Sequence, residues 1–400
     1  MNGKYFQLIV LLLTIGLSTT SLSIIPYSNI CYIVAFLVII LIEMHILCEC
    51  FQYVRFSDCK VYALFLISIF VTNSINQTFD YRFLLFVAIV FLTCPIASSL
   101  RLFLFKRLVI KYLLFVFVCI SVICFICYCI GYNGSIVPSR HYNNLDFKGI
   151  TNHPMWLAPI CGISNIFSLF VILYEKDMYK RILFFCFLIM SFFTSVVAAS
   201  RSALVASVVV MLILLWVKYN DVYTYVKMLF VIIVLGFCFS HFLDTRRIED
   251  KMEYQQKHQV TSRDELWNAR LKEFDSSPLL GIGFATSGLG YEKETGLMES
   301  GGGWLSVLSQ TGVIGLLFML MILYRSLIKL SLLRRFPDLL LYTFILFFLC
   351  IHSFAEGYIY TPGYNLCFLF WLVIGYLTEA KKRLHLKKVK HVVIGNCTCL

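Results

Sequence analysis

Arg201 has the clearest chemical signal in the sequence. It lies in the tripeptide Ser200-Arg201-Ser202 and is the one charged residue between Ile182 and Val217. Because a charge at the centre of a bilayer costs about 2.5–3.5 kcal/mol, this pattern favours two helices that meet in a turn at Arg201. A guanidinium at such a turn can bind a phosphate or diphosphate through paired hydrogen bonds. The alternative is an arginine that extends to lipid headgroups.

Two more arginines lie in a short helix that is predicted to begin at Ser262, where the sequence SRDE has the form of a capping box. Arg263 and Arg270 are seven residues apart, so they project from nearly the same face of this helix. Both could contact an anion there. A solvated helix face is the competing interpretation, and for Arg270 it is the favoured one.

The same helix carries an apolar stripe made by Trp267, Leu271 and Phe274. This stripe can lie on the membrane surface or pack on a helix bundle. The following sequence, SSPLLGIGF, is predicted to end the helix at Pro278. Its two glycines, Gly281 and Gly283, are expected to form a turn in the external loop.

Glu299 is the candidate for proton transfer. It precedes three glycines, Gly301 to Gly303, and then Trp304 at the start of a strongly apolar segment. Glycines allow the backbone to approach a ligand closely. A carboxylate that is partly removed from water at this place could act as a general base toward a sugar hydroxyl. Alternatively, Glu299 only caps the next helix through its dipole.

Four further polar residues are weaker candidates. His153 stands before Pro154, with Arg140 upstream, and a residue in this position either caps the helix or contacts a ligand. His352 and Glu356 are four residues apart, so they lie on one helical face, where they could form a pair. A structural role and a functional role are equally compatible with these patterns.

These candidates must be positioned by membrane helices. The chain has 400 residues, of which 60% are hydrophobic and 14% are charged, and its mean hydropathy is +0.83. Soluble proteins carry about 25% charged residues, so the composition indicates an all-α, polytopic transmembrane bundle. About twelve spans are predicted: 5–25, 30–48, 59–75, 81–99, 108–131, 154–174, 181–199, 202–217, 225–243, 304–328, 337–355 and 358–377.

Charge predicts the orientation of the bundle. Lys and Arg are concentrated in alternate loops, which places both termini in the cytoplasm and residues 244–303 in one large extracytoplasmic loop. The net charge of +12 follows from this bias, so no nucleic-acid partner is expected. Four regions result: 1–150 with N-terminal helices, 151–243 with the Ser-Arg turn, the loop 244–303, and 304–400 with C-terminal helices and a basic cytoplasmic tail.

Three motifs together resemble the bacterial O-antigen polymerase and ligase family: SRSALVASVVVMLIL, then Arg263-x3-Trp267 with SPLLGIGF, then ESGGGWLSVLSQTGVIGLL. The resemblance implies a membrane glycosyltransferase of the GT-C type, using undecaprenyl-diphosphate-linked glycans at the outer face of the bacterial cytoplasmic (inner) membrane. Arg201 and Arg263 correspond to family arginines, and Arg201 to the one thought to hold the diphosphate. In ligases of the family a His-Asn pair stands where this chain has Gly301-Gly302, which favours a polymerase with Glu299 as the base.

The implied reaction is inverting and needs no metal or other cofactor, because arginines can stabilise a leaving diphosphate. The chain would polymerise oligosaccharide repeat units into O-antigen or exopolysaccharide. Its partners would be the lipid-linked glycan, the membrane, and a flippase and chain-length regulator of the same pathway. The alternatives are an O-antigen ligase that transfers glycan to lipid A core, and a flippase or other transporter of lipid-linked oligosaccharides.

Overall fold

The computed structural model describes residues 3–49, 59–96, 99–133, 147–198, 200–219, 221–223, 226, 262–284 and 302–389. The described part is helical in almost all of its length. Its helices in chain order are α1 (Gly3–Ser18), α2 (Ser28–Glu49), α3 (Lys60–Asn76), α4 (Tyr81–Thr93), α5 (Leu100–Cys129), α6 (Pro154–Tyr174), α7 (Met178–Val197), α8 (Arg201–Tyr219), α9 (Ser262–Ser276), α10 (Gly303–Ser326), α11 (Leu330–Leu333), α12 (Pro337–His352) and α13 (Asn365–Val389).

Seven helices of the described residues are long and apolar enough to cross a membrane, namely α1 (with the short 3-10 turn that follows it), α2, α5, α6, α7, α8 and α10. α3, α4 and α12 are apolar but shorter. Since about 20 apolar residues cross a bilayer core, these helices confirm the predicted helical membrane protein. The number of twelve spans remains a prediction, and the span predicted at 225–243 falls almost wholly outside the described residues.

α4 and α5 differ from the predicted spans at the turn between them. α4 ends at Thr93 and not at 99, because Cys94 precedes a proline and takes extended backbone. α5 begins at Leu100, well before the predicted residue 108, and the side chain of Ser99 caps it. Hydropathy marked only the most apolar part of α5 and missed its basic first turns.

α13 begins at Asn365, so the span predicted at 358–377 is wrong at its start. Residues 358–364 instead form a loop with buried tyrosines, including Tyr358 and Tyr360. Their rings make the loop as apolar as a helix, and hydropathy therefore could not separate the two.

α13 is the central helix of the bundle. Every residue from Asn365 to Leu377 is buried, as expected for a helix that is apolar around its whole circumference. Gly375 lies directly against the carbonyl oxygen of Thr93 in α4, with no space for a β-carbon. A small residue at this crossing lets the two backbones approach closely.

α10 is broken near its middle, in a region predicted as an unbroken span. Gly312 has φ 63° and ψ −169°, which interrupts the helix and leaves neighbouring backbone groups without helical partners. Glycine reaches this φ without the steric strain that other residues experience. Within a membrane the released groups must find partners in the protein.

The segment 278–284 supplies these partners through backbone hydrogen bonds. They run from Ile282 N to Ser309 O (2.9 Å), Gly283 N to Gln310 O (3.1 Å), Val313 N to Pro278 O (2.9 Å) and Ile314 N to Leu279 O (3.3 Å). Gly281 touches the backbone of Gln310, and Gly312 touches that of Leu279, with no space for a β-carbon at either glycine. The turn predicted at Gly281 and Gly283 is confirmed, with φ of 76° and 112°. The sequence did not predict that this turn packs between helices of the bundle.

α3 holds the other side of the same segment. Three polar side chains of α3 bind its backbone: the Thr72 hydroxyl donates to Leu280 O (2.8 Å), the Asn76 amide donates to Gly281 O (3.2 Å), and Asn73 Oδ1 accepts from Phe284 N (2.7 Å). Phe284 is fully buried and packs on the rings of Phe86 and Tyr360. The end of the segment, with Gly281, Gly283 and Phe284 buried, is thus part of the core, whereas Pro278 and Leu279 at its start are exposed.

Candidate functional site

α6, α8 and α12 meet near the end of the bundle that was predicted to be external. A β-carbon at Gly162 of α6 would lie 2.6 Å from the Phe348 ring of α12 and 3.5 Å from Cβ of Ser207 in α8. At a rise of about 1.5 Å per residue, Arg201 is about 9 Å along α8 from this contact. His352 is about 6 Å along α12 from it. The contact thus brings the start of α8 and the end of α12 to the same end of the bundle.

Arg201 is the first residue of α8, at the turn that its sequence predicts. Its side chain is exposed, and it forms no ion pair or hydrogen bond with the described residues. Ser200 and Ser202 beside it lie with their hydroxyl oxygens 3.4 Å apart. The guanidinium at the positive end of the helix dipole is therefore available to an anionic ligand.

The start of α10 is fixed to the turn that follows α12. The Gly303 amide donates to the carbonyl oxygens of Ser353 (2.6 Å) and Glu356 (3.1 Å). The indole of Trp304 donates to the carbonyl oxygen of Cys350 at 3.0 Å. At Gly302 a β-carbon would lie 2.7 Å from the carbonyl oxygen of Phe354. These contacts explain the glycines here: the two backbones lie too close for a side chain.

α9 begins at Ser262 as predicted, and it packs against α10. Its buried face is not the predicted apolar stripe. Arg270 and Glu273 are buried and form an ion pair at 2.8 Å, with side chains that are 8% and 4% exposed. Trp267 and Leu271 are 38% and 43% exposed. The interpretation of Arg270 as part of a solvated face is therefore wrong, because a paired charge can be buried where an isolated one cannot.

Trp267 nevertheless reaches the junction at α10. Its indole nitrogen is 3.6 Å from the position of a β-carbon at Gly302. Arg263 lies in the first turn of α9, one turn before Trp267, and the structure describes its backbone only. α9 thus brings the predicted loop motif to the junction between α10 and the turn after α12.

Glu356 lies at this junction beside a buried tyrosine. Burial raises the pKa of Tyr364 well above its ordinary value, and the nearby carboxylate of Glu356 adds to the rise. Tyr364 also packs on Trp156 in the first turn of α6, with ring centroids 5.0 Å apart. Its phenol therefore stays protonated at neutral pH and can act as a hydrogen-bond donor at this end of the bundle.

The two histidines have well-defined local contacts. His153 Nδ1 accepts a hydrogen bond from the amide of Met155 at 3.1 Å, so this side chain caps α6. His352 is buried, and its ring stacks between Phe348 and Tyr358 at centroid distances of 5.6 and 5.7 Å. Both contacts are structural, and a functional role for either histidine stays a prediction.

Two predicted site residues, Glu299 and Arg140, lie outside the described residues. The structure places the backbone of Arg263 near the junction and brings Trp267, Gly302 and Glu356 together there. The sequence analysis missed Tyr364 and the polar residues at the end of α3. The run TNSIN at 72–76, in an otherwise apolar helix, is the signal that could have revealed the latter.

Buried charge also occurs toward the predicted cytoplasmic end. Lys106 of α5 is fully buried and donates to the carbonyl oxygens of Thr93 (3.3 Å) and Cys94 (3.2 Å) at the end of α4. Glu379 of α13 pairs with Arg383 at 2.7 Å. Lys106 thus joins α5 to the end of α4, whereas the Glu379–Arg383 pair lies within α13.

The fold and these contacts define an all-α integral membrane protein with its candidate site at the predicted outer end. Residues 185–320 of the chain match the family model described as O-antigen ligase. This match confirms the resemblance inferred from the three motifs over that part of the chain, which includes Arg201, α8, α9 and the first three quarters of α10. A search of curated proteins finds no match.

Proposed function

We propose that this protein is a membrane glycosyltransferase that polymerises undecaprenyl-diphosphate-linked repeat units into O-antigen or exopolysaccharide. The observation that carries the proposal is the family match at 185–320, which spans both candidate arginines. The geometry supports it, because Arg201 is exposed at the start of α8 and α9 is packed on the start of α10 at the same end of the bundle.

The chemistry is an inverting substitution at an anomeric carbon. A hydroxyl oxygen of the acceptor glycan forms a bond to the anomeric carbon while the bond from that carbon to the diphosphate oxygen breaks. The electron pair leaves with undecaprenyl diphosphate, and the hydroxyl proton passes to a carboxylate of the protein. Positive side chains that face the diphosphate stabilise the charge that develops on it.

The proposed roles follow from position. Arg201 and Arg263 bind the diphosphate, and Arg270 supports them through its buried pair with Glu273 rather than by direct contact. Glu299 is the proposed base. Glu356 is a second carboxylate near the start of α10 and adds negative charge where an acceptor hydroxyl would bind.

Polymerisation is favoured over ligation by the packing at Gly302. The ligases of the family carry a His-Asn pair at the positions of Gly301 and Gly302. In this chain a β-carbon at Gly302 would lie 2.7 Å from the carbonyl oxygen of Phe354, so the observed backbone has no room for an asparagine there. This close packing at Gly302 supports the proposal of a polymerase.

The proposal includes a location and partners. The protein would lie in the bacterial inner membrane with a GT-C-like bundle of about twelve spans, both termini in the cytoplasm and its site outside. It would receive its substrate from a flippase and act with a chain-length regulator. The apolar helices support a membrane location.

The decisive experiment supplies the purified protein in detergent with undecaprenyl-diphosphate repeat units alone and separates the products by size on a gel. We expect a ladder of products from the wild type and single units from Glu299→Gln. A ladder from Glu299→Gln that equals the wild type would remove Glu299 from the site. In cells, deletion of the gene distinguishes the alternatives: single repeats on lipid A indicate a polymerase, and polymer that never reaches lipid A indicates a ligase.

A further inference from the structure

A groove lies at the opposite end of the bundle from the candidate site. It is formed where α6 and α8 end and where the chain turns after α11, and it has a volume of about 220 Å³. Its lining residues are Tyr174, Val217, Lys218 and Arg334. Three separate elements thus contribute to one concave surface, and two of them contribute a cation.

The two cations are arranged around one tyrosine. The ammonium nitrogen of Lys218 lies over the ring of Tyr174, 4.1 Å from its centroid. Arg334 is close enough to Tyr174 to interact with its phenol electrostatically. A lysine held over an aromatic face loses less side-chain freedom when it binds an anion, because it is already ordered.

The surroundings of the groove are those of a membrane interface. Trp216 and Tyr219, on either side of the lining residues in α8, are 42% and 38% exposed. Tryptophan and tyrosine in exposed positions at helix ends mark the level of the lipid headgroups. Lys218 and Arg334 are also exposed, so a group at that level can reach both of them.

We propose that this groove binds the phosphodiester group of an anionic phospholipid, with phosphatidylglycerol as the representative ligand. Lys218 alone could serve to balance the negative end of the α8 dipole. That role does not explain why Arg334, which belongs to another element, lines the same groove as Lys218. Basic pockets between transmembrane helices at the cytoplasmic side commonly hold anionic headgroups. The inference is independent of the proposed glycosyltransferase activity.

The test is native mass spectrometry of the full-length protein in detergent, titrated with phosphatidylglycerol or with phosphatidylcholine of the same acyl chains. The variants are Lys218→Ala/Arg334→Ala and, as a matched control, Arg335→Ala, which removes an exposed arginine one residue outside the groove. We expect the wild type and the control to prefer phosphatidylglycerol. The double variant should bind phosphatidylglycerol roughly thirtyfold more weakly. This estimate takes the usual contribution of an interfacial cation twice and converts the sum at about a tenfold change in affinity for each 1.4 kcal/mol.

Two results would overturn the proposal. One is an unchanged preference in the double variant. The other is full competition by soluble glycerol phosphate at equal concentration, which would assign the groove to a soluble phosphate compound. Lys218→Glu provides a second variant if the double variant does not fold, and it should abolish the preference for phosphatidylglycerol through charge repulsion. Melting curves of each variant identify loss of fold.

Discussion

The amide of Gly303 donates a hydrogen bond to the carbonyl oxygen of Glu356 at 3.1 Å, which fixes the start of α10 to the turn after α12. The same amide contacts the carbonyl oxygen of Ser353 at 2.6 Å. A residue in the loop that joins α12 to α13 therefore positions the first residue of α10. Because this contact uses the backbone carbonyl of Glu356, a substitution of the side chain leaves the hydrogen bond itself in place.

Glu356→Gln should separate the structural role of the Glu356 backbone carbonyl from the functional role proposed for its carboxylate. The carbonyl contact with Gly303 is retained, so we expect the protein to remain folded. We expect polymerisation to slow by about tenfold or more, equivalent to about 1.4 kcal/mol of transition-state stabilisation, because the charge at the junction is lost. Rates on defined lipid-linked repeat units provide the measurement. The control is Glu175→Gln, which changes a half-buried carboxylate in the turn between α6 and α7, and equal rates in both variants would contradict the prediction.

Arg201→Ala should abolish chain lengthening while the protein remains folded in the membrane. The side chain is exposed and unpaired among the described residues, so its removal leaves no buried partner behind. Loss of one charge-stabilising donor lowers kcat by about 10²–10³-fold in other enzymes. Polymer length in cells and the single-turnover rate with purified protein measure the effect.

The control for Arg201 is Arg82→Ala. Arg82 is also predicted at the outer side, where it pairs with Asp80 at 3.5 Å in the first turn of α4. It should support normal polymer length. Arg201→Lys should retain only part of the activity, because an ammonium cannot form the two parallel hydrogen bonds of a guanidinium. Normal polymer from Arg201→Ala would show that this arginine does not bind substrate.

Gly281→Ala should destabilise the protein strongly, because a β-carbon would collide with the backbone of Gln310. Gly131→Ala is a matched control: Gly131 has φ 73° against 76° for Gly281, but nothing lies within 4 Å of its β-carbon position. Both substitutions should destabilise the protein by about 1–2 kcal/mol, because alanine must adopt a left-handed backbone conformation at either position. Overpacking adds about 1–3 kcal/mol only at Gly281. Thermal unfolding in detergent should show the difference, and equal melting temperatures would contradict the inserted position of 278–284.

Asn73→Ala should destabilise the same region for a different reason. The amide of Phe284 would lose its 2.7 Å bond to Asn73 Oδ1 in a buried place. An unsatisfied buried amide costs about 1–3 kcal/mol. The neighbouring substitution Ser74→Ala removes an exposed hydroxyl that bonds only within α3, and we expect a melting temperature close to that of the wild type. Similar losses in the two variants would show that the contact contributes little.

Arg270→Met should destabilise the protein by about 3–5 kcal/mol, because the carboxylate of Glu273 would be left buried without its partner. The double variant Arg270→Met/Glu273→Leu should recover much of the stability, since it buries two apolar side chains in place of the pair. Chemical or thermal unfolding measures both. An active double variant would assign a structural role to Arg270, whereas a stable but inactive one would place it in contact with the substrate.

Hydropathy predicted the helix bounds correctly where no other interaction determined them. α6 was predicted at 154–174 and is found there, because Pro154 fixes its start and the charged residues after Tyr174 fix its end. The turn at Arg201 was also predicted correctly, since one charge in a long apolar stretch admits few solutions. These features depend on local sequence and on the thickness of a membrane.

The features that were missed depend on contacts between distant segments. PLLGIGF looked like an external turn because its role appears only when Gly281 meets the backbone at Gln310. Arg270 looked solvated because its burial depends on how α9 packs, although its partner Glu273 is only three residues away in the same helix. Periodicity identifies an apolar stripe on α9 but does not determine which side faces the bundle when a buried ion pair competes with it.

The insertion of 278–284 between α3 and α10 has a consequence for engineering this protein. The loop predicted at 244–303 cannot be exchanged as a module with that of a relative, because the segment 278–284 completes the hydrogen bonding of the broken helix α10. A chimera that acquires a foreign loop must acquire the matching α3 and α10 as well, and under the proposed function a new sugar specificity is best transferred with all three segments together.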